Sequence, residues 1–413
     1  MTSSIKVQVA TSIAALDAAG WDACANPPGA MAGPGVAGGV NPPKPLDEVI
    51  APDRSGERFN PFLSHAFLSA LEGSGSVGGK TGWSPAHVAV EENRRIVAVA
   101  PTYIKSHSQG EYVFDHGWAE AFGRAGGRYY PKLQVAVPFT PATGRRFLVA
   151  PGTDLDQAES ALVAGLRALR REVKASSIHA TFVTKAEWDR FGALGWLQRT
   201  DQQFHFINDG YGGFDDFLAD LASRKRKAIK RERRDALAPG ITIEHVTGSD
   251  LREEHWDAFF AFYMDTGSRK WGRPYLNRRF FSLIGEAMPE RVLLVMAKRA
   301  GRYIAGALNI IGDDALYGRN WGAVEDHPFL HFEVCYYQAI DFALARGLAR
   351  VEAGAQGEHK LARGYRPTPT NSVHDIADKR LATAESDYLE HERAYVGHAV
   401  EQLGEHLPFR QDD

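Results

Sequence analysis

The feature that most constrains this chain is a repeat. The stretch "HVAVEENRRIVAVAPTYIKS" reads as two strands joined by a turn, and "LLVMAKRAGRYIAGALNIIG" repeats it about two hundred residues later. The order continues in parallel after each. In the first half the helix "DQAESALVAGLRALRREVK" leads to the strand "SIHATFV", a short helix ending in "ALGW", and the strand "QRTDQQFHFI". In the second half "HFEVCYYQAIDFALARG" leads to "ARVEAGA", a segment ending in "ARGY", and "PTPTNSVHDI". An internal duplication is the economical account, so residues near 60–208 and 241–380 are expected to form two similar sheets. Each half reads as an α/β unit, a mixed sheet that begins as a meander and continues through helical crossovers.

Composition agrees with two domains, because 413 residues at 44% hydrophobic content exceed what one core usually holds. The expected division is a first domain over 1–210, a basic helix over 211–240, and a second domain over 241–413 that ends in a helix. Residues 26–58 are dense in Pro and Gly and read as a mobile surface insertion. A net charge of −3 gives no global attraction to nucleic acid or anionic membrane, so such a partner would need a local patch. Cys24 and Cys335 are the only cysteines, which excludes a disulfide framework and points to a reduced cytoplasm. The N-terminus lacks a basic, apolar leader, and no stretch reaches the length of a membrane span. A soluble protein is expected, at most resting on a membrane surface.

Seven stretches carry a family resemblance: "NPFLSHAFLSALE", "SHSQGEYVFDHGW", "GGRYYPKLQVAVPFTPATGRR", "RKRKAIKRERR", "YMDTGSRKWGRPYL", "HPFLHFEVCYYQAIDFALARGL" and "GAQGEHKLARGY". They span nearly the whole chain and resemble a bacterial FemAB-like family. That family is similar to the Fem aminoacyltransferases, whose tandem GNAT-like domains move an amino acid from aminoacyl-tRNA to a cell-wall peptide. The fold this implies is two tandem GNAT-like domains. The activity implied is N-acyl transfer, from acyl-CoA or aminoacyl-tRNA, with the second domain catalytic and the first recognising the acceptor. One departure stands out. Acyl-CoA enzymes of this fold usually carry a glycine-rich turn before the central helix to cradle the pyrophosphate, and here that place reads "EDHPFLHFEV".

Acyl transfer to an amine needs a base, donors for the oxyanion and an acid for the leaving group. In a GNAT-like sheet these meet where the central strands splay. The candidates there are His331 and Glu333 at the helix start, with Glu358 and His359 after the next strand; Trp321, Tyr337, Lys360 and Arg363 are candidate substrate contacts. The triplet Glu358, His359, Lys360 occurs only in the second repeat. The sister segment "TKAEWDRFGALGW" is bland, so its Glu187 is expected to be functionally silent. His/Glu spacing fits no zinc signature, and no metal is expected.

In the first half Asp115, His116, Tyr129, Tyr130 and Lys132 place charges and aromatics where the fold needs neither, and Fem relatives bind their acceptor through a similar turn. A tight turn with a Tyr packed over Pro131 is the plainer alternative. Arg269, Lys270 and Trp271 offer a cationic, aromatic surface for phosphate or carboxylate, or else a solvated helix end. The helix "SRKRKAIKRERR" holds eight cations. Through Lys225, Arg226 and Lys230 it is expected to meet phosphate of CoA, of tRNA or of an anionic membrane surface, although a charge run also serves as a plain solvated face. The first expectation is an N-acyltransferase using acyl-CoA and an amphiphilic amine such as a sphingoid base. The alternative is a Fem-type enzyme acting on a peptidoglycan precursor. A third reading is a non-catalytic module that binds cell-wall or lipid headgroups.

Overall fold

The computed structural model describes residues 5–27, 58–270, 274–354 and 357–410, the side chains of 268–270 and Glu358 excepted. The Pro/Gly insertion therefore falls outside the described residues from 28 to 57, as do Trp271 and the side chains of Arg269, Lys270 and Glu358.

The chain divides into two units. One gathers the chain up to Asp201 together with Pro369–Gly397, and the other joins Gln202–Thr368 to the chain from His398. In order, the strands are β1 (Ile5–Ala10), β2 (Trp83–Pro85), β3 (His87–Glu92), β4 (Arg95–Ala100), β5 (Thr102–Lys105), β6 (Lys132–Val135), β7 (Leu148–Val149) and β8 (Ser177–Val183). They continue with β9 (Leu197–Ile207), β10 (Ile241–Thr247), β11 (Val292–Arg299), β12 (Arg302–Ile311), β13 (Ala315–Ala323), β14 (Arg350–Glu352) and β15 (Arg366–Ile376).

Within the first unit Pro101, which has no N–H to donate, separates β4 from β5. β4 pairs antiparallel with β3 and β7, and β5 pairs antiparallel with β2 and β6. β6 then runs parallel to β8, and β8 pairs antiparallel with Asn371–Ile376 of β15. The helix Leu155–Glu172 shows apolar residues at helical spacing, and its Leu162 and Leu166 are completely buried in one core with Val88, Leu133 and Ile178.

The second unit has a longer meander. β10, β11, β12 and β13 pair antiparallel in sequence order, β13 runs parallel to β14, and β14 pairs antiparallel with His205–Ile207 of β9. The continuous apolar run Val292–Ala297 is what a strand covered on both faces requires, and all six residues are buried.

Both units thus share one order: antiparallel meander, parallel pair, antiparallel closing strand. The closing strands are exchanged between the sequence halves. The end of β15 closes the first unit and the end of β9 closes the second. The units therefore differ from the division 1–210 and 241–413, because Pro369–Gly397 returns to the first. No helix among the described residues is long and apolar enough to cross a membrane.

Candidate functional site

In the second unit β13 and β14 pair only over Ala315–Tyr317 and Arg350–Glu352. Just beyond, the register of β13 against β12 slips between Gly318 and Asn320, so that Arg319 is the extra residue of a bulge. Bulges re-aim the backbone and recur beside active sites. A fork opens there, and the chain that follows it supplies the ionisable residues.

The helical run after β13 begins with Leu330–Phe332, widens into a π turn at Glu333–Tyr337 and continues as Gln338–Ala345. Such single π turns concentrate at functional sites. On it His331 packs edge-on to Tyr336 at 5.3 Å between ring centres and rests against Trp321 at 5.2 Å. His359 arrives from the short 3-10 helix Glu358–Arg363. Its ring centre lies 6.2 Å from that of His331, and its Nε2 is 2.8 Å from the Tyr336 hydroxyl. Gly357 makes that approach possible: its φ is 114°, and a Cβ there would sit 2.3 Å from His359 Cε1. Burial pushes the Tyr336 phenol well above its ordinary value, with Cys335 adding to the shift and Arg363 opposing it. The phenol therefore keeps its proton, and the pair is a hydrogen bond between two neutral-range partners rather than an ion pair.

Glu333, expected among the bases, is completely buried and already engaged. Arg233 of the basic helix Ser223–Leu237 grips both its oxygens, at 3.1 and 3.0 Å, and Gln338 donates to it at 2.7 Å. The same guanidinium reaches Asp341 at 2.6 Å. The next residue back, Glu232, accepts from Arg363 at 3.0 and 2.9 Å and from the Tyr337 hydroxyl. Two ion pairs of opposite polarity therefore clamp the basic helix to the π turn and to the 3-10 helix. Lys225, Lys227, Lys230 and Arg231 are left exposed. Arg226 is half-buried and reaches the Ala219 carbonyl at 3.4 Å, and Lys230 makes a long pair with Asp215 at 3.8 Å.

Lys360 is buried, donates to the Gly354 carbonyl at 2.9 Å and lies over the Phe204 ring. Burial pushes its ammonium down to about 8, with Cys335 opposing. Arg363 also stacks on Phe332 at 3.4 Å and donates to the His359 carbonyl at 2.7 Å, which fixes the backbone behind the imidazole. Arg363 and Tyr337 thus bond to the protein itself, whereas Trp321, His331 and His359 stand at the fork.

Tyr336 escaped the sequence reading because it sits in an apolar helical run; a second adjacent tyrosine was its only signal. Glu187, expected to be silent, is buried and completes a capping box with Thr184 while accepting from the N–H groups of Arg146 and Phe147 at 2.8 and 2.9 Å.

In the first unit the expected residues meet one another. Lys132 Nζ lies 2.5 Å from Asp115 Oδ2, 2.9 Å from Ser108 Oγ and 3.3 Å from Glu111. Tyr129 donates to Asp115 at 2.7 Å, and Tyr130 donates to Ser108 at 2.8 Å. Burial alone would raise the Asp115 carboxyl, but Lys132 and His179, with hydrogen bonds from Lys132 and Ser108, outweigh it and hold the group well below the usual range. His179 and His374 share one proton position between Nδ1 atoms 2.7 Å apart, and burial pushes His179 down to about 3. Asp115, Tyr129 and Lys132 are each no more than 3% exposed, so this is a buried, self-paired network. His116 alone of the expected set is exposed, stacked on Phe114.

No curated protein matches the chain. The structure is similar to that of FemX, at 14% identity and a TM-score of 0.50, covering 78% of this chain and 93% of that one. It is also similar to L-PGS from Bacillus licheniformis, at 8% identity and a TM-score of 0.47 with the same coverages. A tandem GNAT protein from the clavulanic acid biosynthesis pathway matches at 12% identity and a TM-score of 0.42, over 91% of this chain and 99% of that one. The family model of FemAB-like proteins, described as peptidoglycan biosynthesis/recognition, matches residues 12–411. The chain belongs to the FemAB-like family, and its fold is that of FemX.

Proposed function

We propose that this protein transfers an acyl group from a phosphate-bearing carrier to a primary amine at the fork where β13 leaves β14. The observation that carries this reading is the hydrogen bond between the Tyr336 hydroxyl and His359 Nε2 at 2.8 Å, with the His331 ring 6.2 Å from that of His359. The amine nitrogen attacks the acyl carbonyl, and its proton passes to an imidazole, His331 being the one beside the Trp321 wall. Backbone N–H groups at the β13 bulge meet the developing oxyanion. Collapse breaks the bond to the carrier, whose sulfur or oxygen takes a proton from the Tyr336 phenol; the phenolate, held against His359, regains a proton from water, and the His331 imidazolium returns the amine's proton to water. Glu333 and Glu232 hold the basic helix in place, and its exposed lysines meet the phosphates of the carrier.

CoA and tRNA both supply such phosphates, so the test has two arms. One arm offers long-chain acyl-CoA with a sphingoid base, and the other offers aminoacyl-tRNA with a peptidoglycan precursor. Amide formation in either arm that falls at least about 10²-fold in Tyr336→Phe or His359→Ala supports the reading. Amide formation unaffected by both substitutions, or absent from both arms, overturns it.

A further inference from the structure

Between the end of β13 and the π turn lies a small cavity of about 190 Å³, lined by Thr266, Trp321, Glu325, Asp326, His327 and His331. Of the side chains given a chemical role above, His331 is the one in its wall. The cavity therefore lies on the side of the base, where the amine arrives, and not on the side of Tyr336 and His359, which serve the leaving group. Its volume suits a polar group on a few carbons, since sites for drug-sized ligands run to about 300–1,000 Å³.

The chemistry of the walls favours a cation. The rim loop, "VEDHPFL", carries two acids, and they are not equivalent. Glu325 is neutralised by Arg299 at 2.8 and 2.7 Å and by His327 at 2.8 Å. Asp326 is exposed at the rim and pairs with no cation among the described residues. The Thr266 hydroxyl oxygen is buried and has no hydrogen-bond partner among the described residues. Trp321 supplies an indole, the best of the aromatic faces for a cation. A carboxylate, an unused hydroxyl acceptor and an indole are together what a three-donor ammonium group takes up. An anion brought here would be repelled by Asp326.

We infer that this cavity holds a second, unreacting ammonium group of the acceptor, so that the acceptor is a diamine. The inference rests on the acyl-transfer reading above. A carboxylate beside a bound amine favours its charged form. A nitrogen so held has no free electron pair and cannot attack, so the ammonium in the cavity is not the nucleophile. The nucleophile is the other nitrogen, a few carbons away on the same molecule and brought to the His331 imidazole. The charge on the first ammonium also disfavours a proton on the second nitrogen, which helps to supply it neutral. Its bond to the acyl carbon forms as the bond to the carrier breaks; His331 takes the amine proton and the carrier takes one from Tyr336. Anchoring one end in this way orients the other for attack. The same geometry limits the product to the monoamide, because a second transfer would need the charged end to leave Asp326 and a neutral amide to take its place.

The experiment has a binding part and a turnover part. Calorimetry compares butylamine with butanol, the same chain with and without an ammonium, on the wild-type protein and on Asp326→Asn. Binding of butylamine at least about tenfold tighter than butanol, with that preference lost in Asp326→Asn, is the expected result. Equal binding of the two, binding of neither, or a preference unchanged in the variant overturns the cavity assignment. Turnover then compares diaminobutane with butylamine, each with acyl-CoA and with aminoacyl-tRNA as donor, and mass spectrometry reads the products. A kcat/KM about 10²-fold higher for the diamine, with the monoamide as product and the preference erased in Asp326→Asn by slowing the diamine alone, supports the inference. Equal use of diamine and monoamine, or ready formation of the diamide, overturns it while leaving acyl transfer intact. If the butylamine preference holds and neither amine is acylated from either donor, the cavity stands as an ammonium site, and the acyl-transfer reading fails together with the acceptor assigned to it.

Discussion

Tyr336 and His359, 23 positions apart in the chain, form one unit: the phenol oxygen and the imidazole Nε2 are hydrogen-bonded at 2.8 Å. The buried phenol holds its proton across the neutral range. It is a donor for a leaving group and is unsuited to act as a base. Tyr336→Phe should therefore lower turnover by roughly 10² to 10⁴ while leaving substrate KM nearly unchanged, and His331→Ala should lower it through loss of the base. Steady-state kinetics on variants whose melting curves match the wild type decide this. Full activity in Tyr336→Phe would remove the phenol from the mechanism.

Glu333 is completely buried and pairs with the half-buried Arg233, so removing Arg233 leaves a buried carboxylate with only Gln338 to answer it. Arg233→Ala should therefore cost about 3–5 kcal/mol of stability, and Glu333→Ala less, because Arg233 keeps Asp341. Glu333→Gln keeps the shape and one acceptor, so it should destabilise less and leave kcat in the folded fraction within a few-fold of wild type. Denaturant melts paired with active-site-normalised rates test both halves. A large loss of kcat in a fully stable Glu333→Gln would restore the carboxylate to the list of bases.

Lys360 carries the clearest pH signature of the site. Its folded-state ammonium is pushed by burial to about 8, below the ordinary lysine value of 10.5. Below about 8 the lysine is protonated in both states, and the fold bears the full penalty of the buried charge. Between about 8 and 10.5 the native state has released a proton that the unfolded state keeps, so this group makes stability rise with pH across that window. Lys360→Met should raise stability at neutral pH by up to a few kcal/mol, less what the bond to the Gly354 carbonyl contributes, and should flatten the alkaline rise. Urea melts at several pH values read this directly. A Lys360→Met variant that is less stable at neutral pH, with the slope intact, contradicts the assignment.

The repeat made the architecture legible, because hydrophobic periodicity is local and survives in both halves. The exchange of closing strands was not legible: nothing in "QRTDQQFHFI" or "PTPTNSVHDI" encodes which parallel pair the strand will close. His359 stood out as a candidate because the sister repeat has nothing in its place, and His331 because it begins the helix after the splayed strands. The pairing of Glu333 was not legible, because its partner Arg233 lies a hundred positions away in a run that reads as solvated surface. Glu187 is a different case. Thr184 and Glu187 have the spacing of a capping box, so a residue expected to be silent in catalysis carries a structural role. Glu187→Ala leaves the buried N–H groups of Arg146 and Phe147 without their acceptor and should cost about 1–3 kcal/mol, visible as a lowered melting midpoint. An unchanged midpoint would show that water replaces the carboxylate.

The last prediction concerns the basic helix, where structure separates cations that sequence could not. Arg233 is committed to Glu333 and Asp341, and Arg226 is half-buried against the Ala219 carbonyl. Lys225, Lys227 and Lys230 are exposed, and among the described residues only Lys230 pairs with an acid, at 3.8 Å. Exposed charges contribute little stability, so replacing these three by Ala should leave the melting midpoint almost unchanged. Phosphate contacts behave otherwise. Each one lost should reduce the slope of log affinity against log salt by about 0.7 to 0.9, so the triple variant should bind its carrier more weakly at low salt and lose roughly two units of slope. Arg233→Ala should instead lower stability and affect the carrier only through disorder of the helix. Titrations at four salt concentrations with tRNA and with CoA in separate arms identify which carrier responds. Identical slopes for wild type and triple variant with both carriers would return these lysines to ordinary solvated surface and leave the helix with one function, that of bracing the π turn through Glu232 and Arg233.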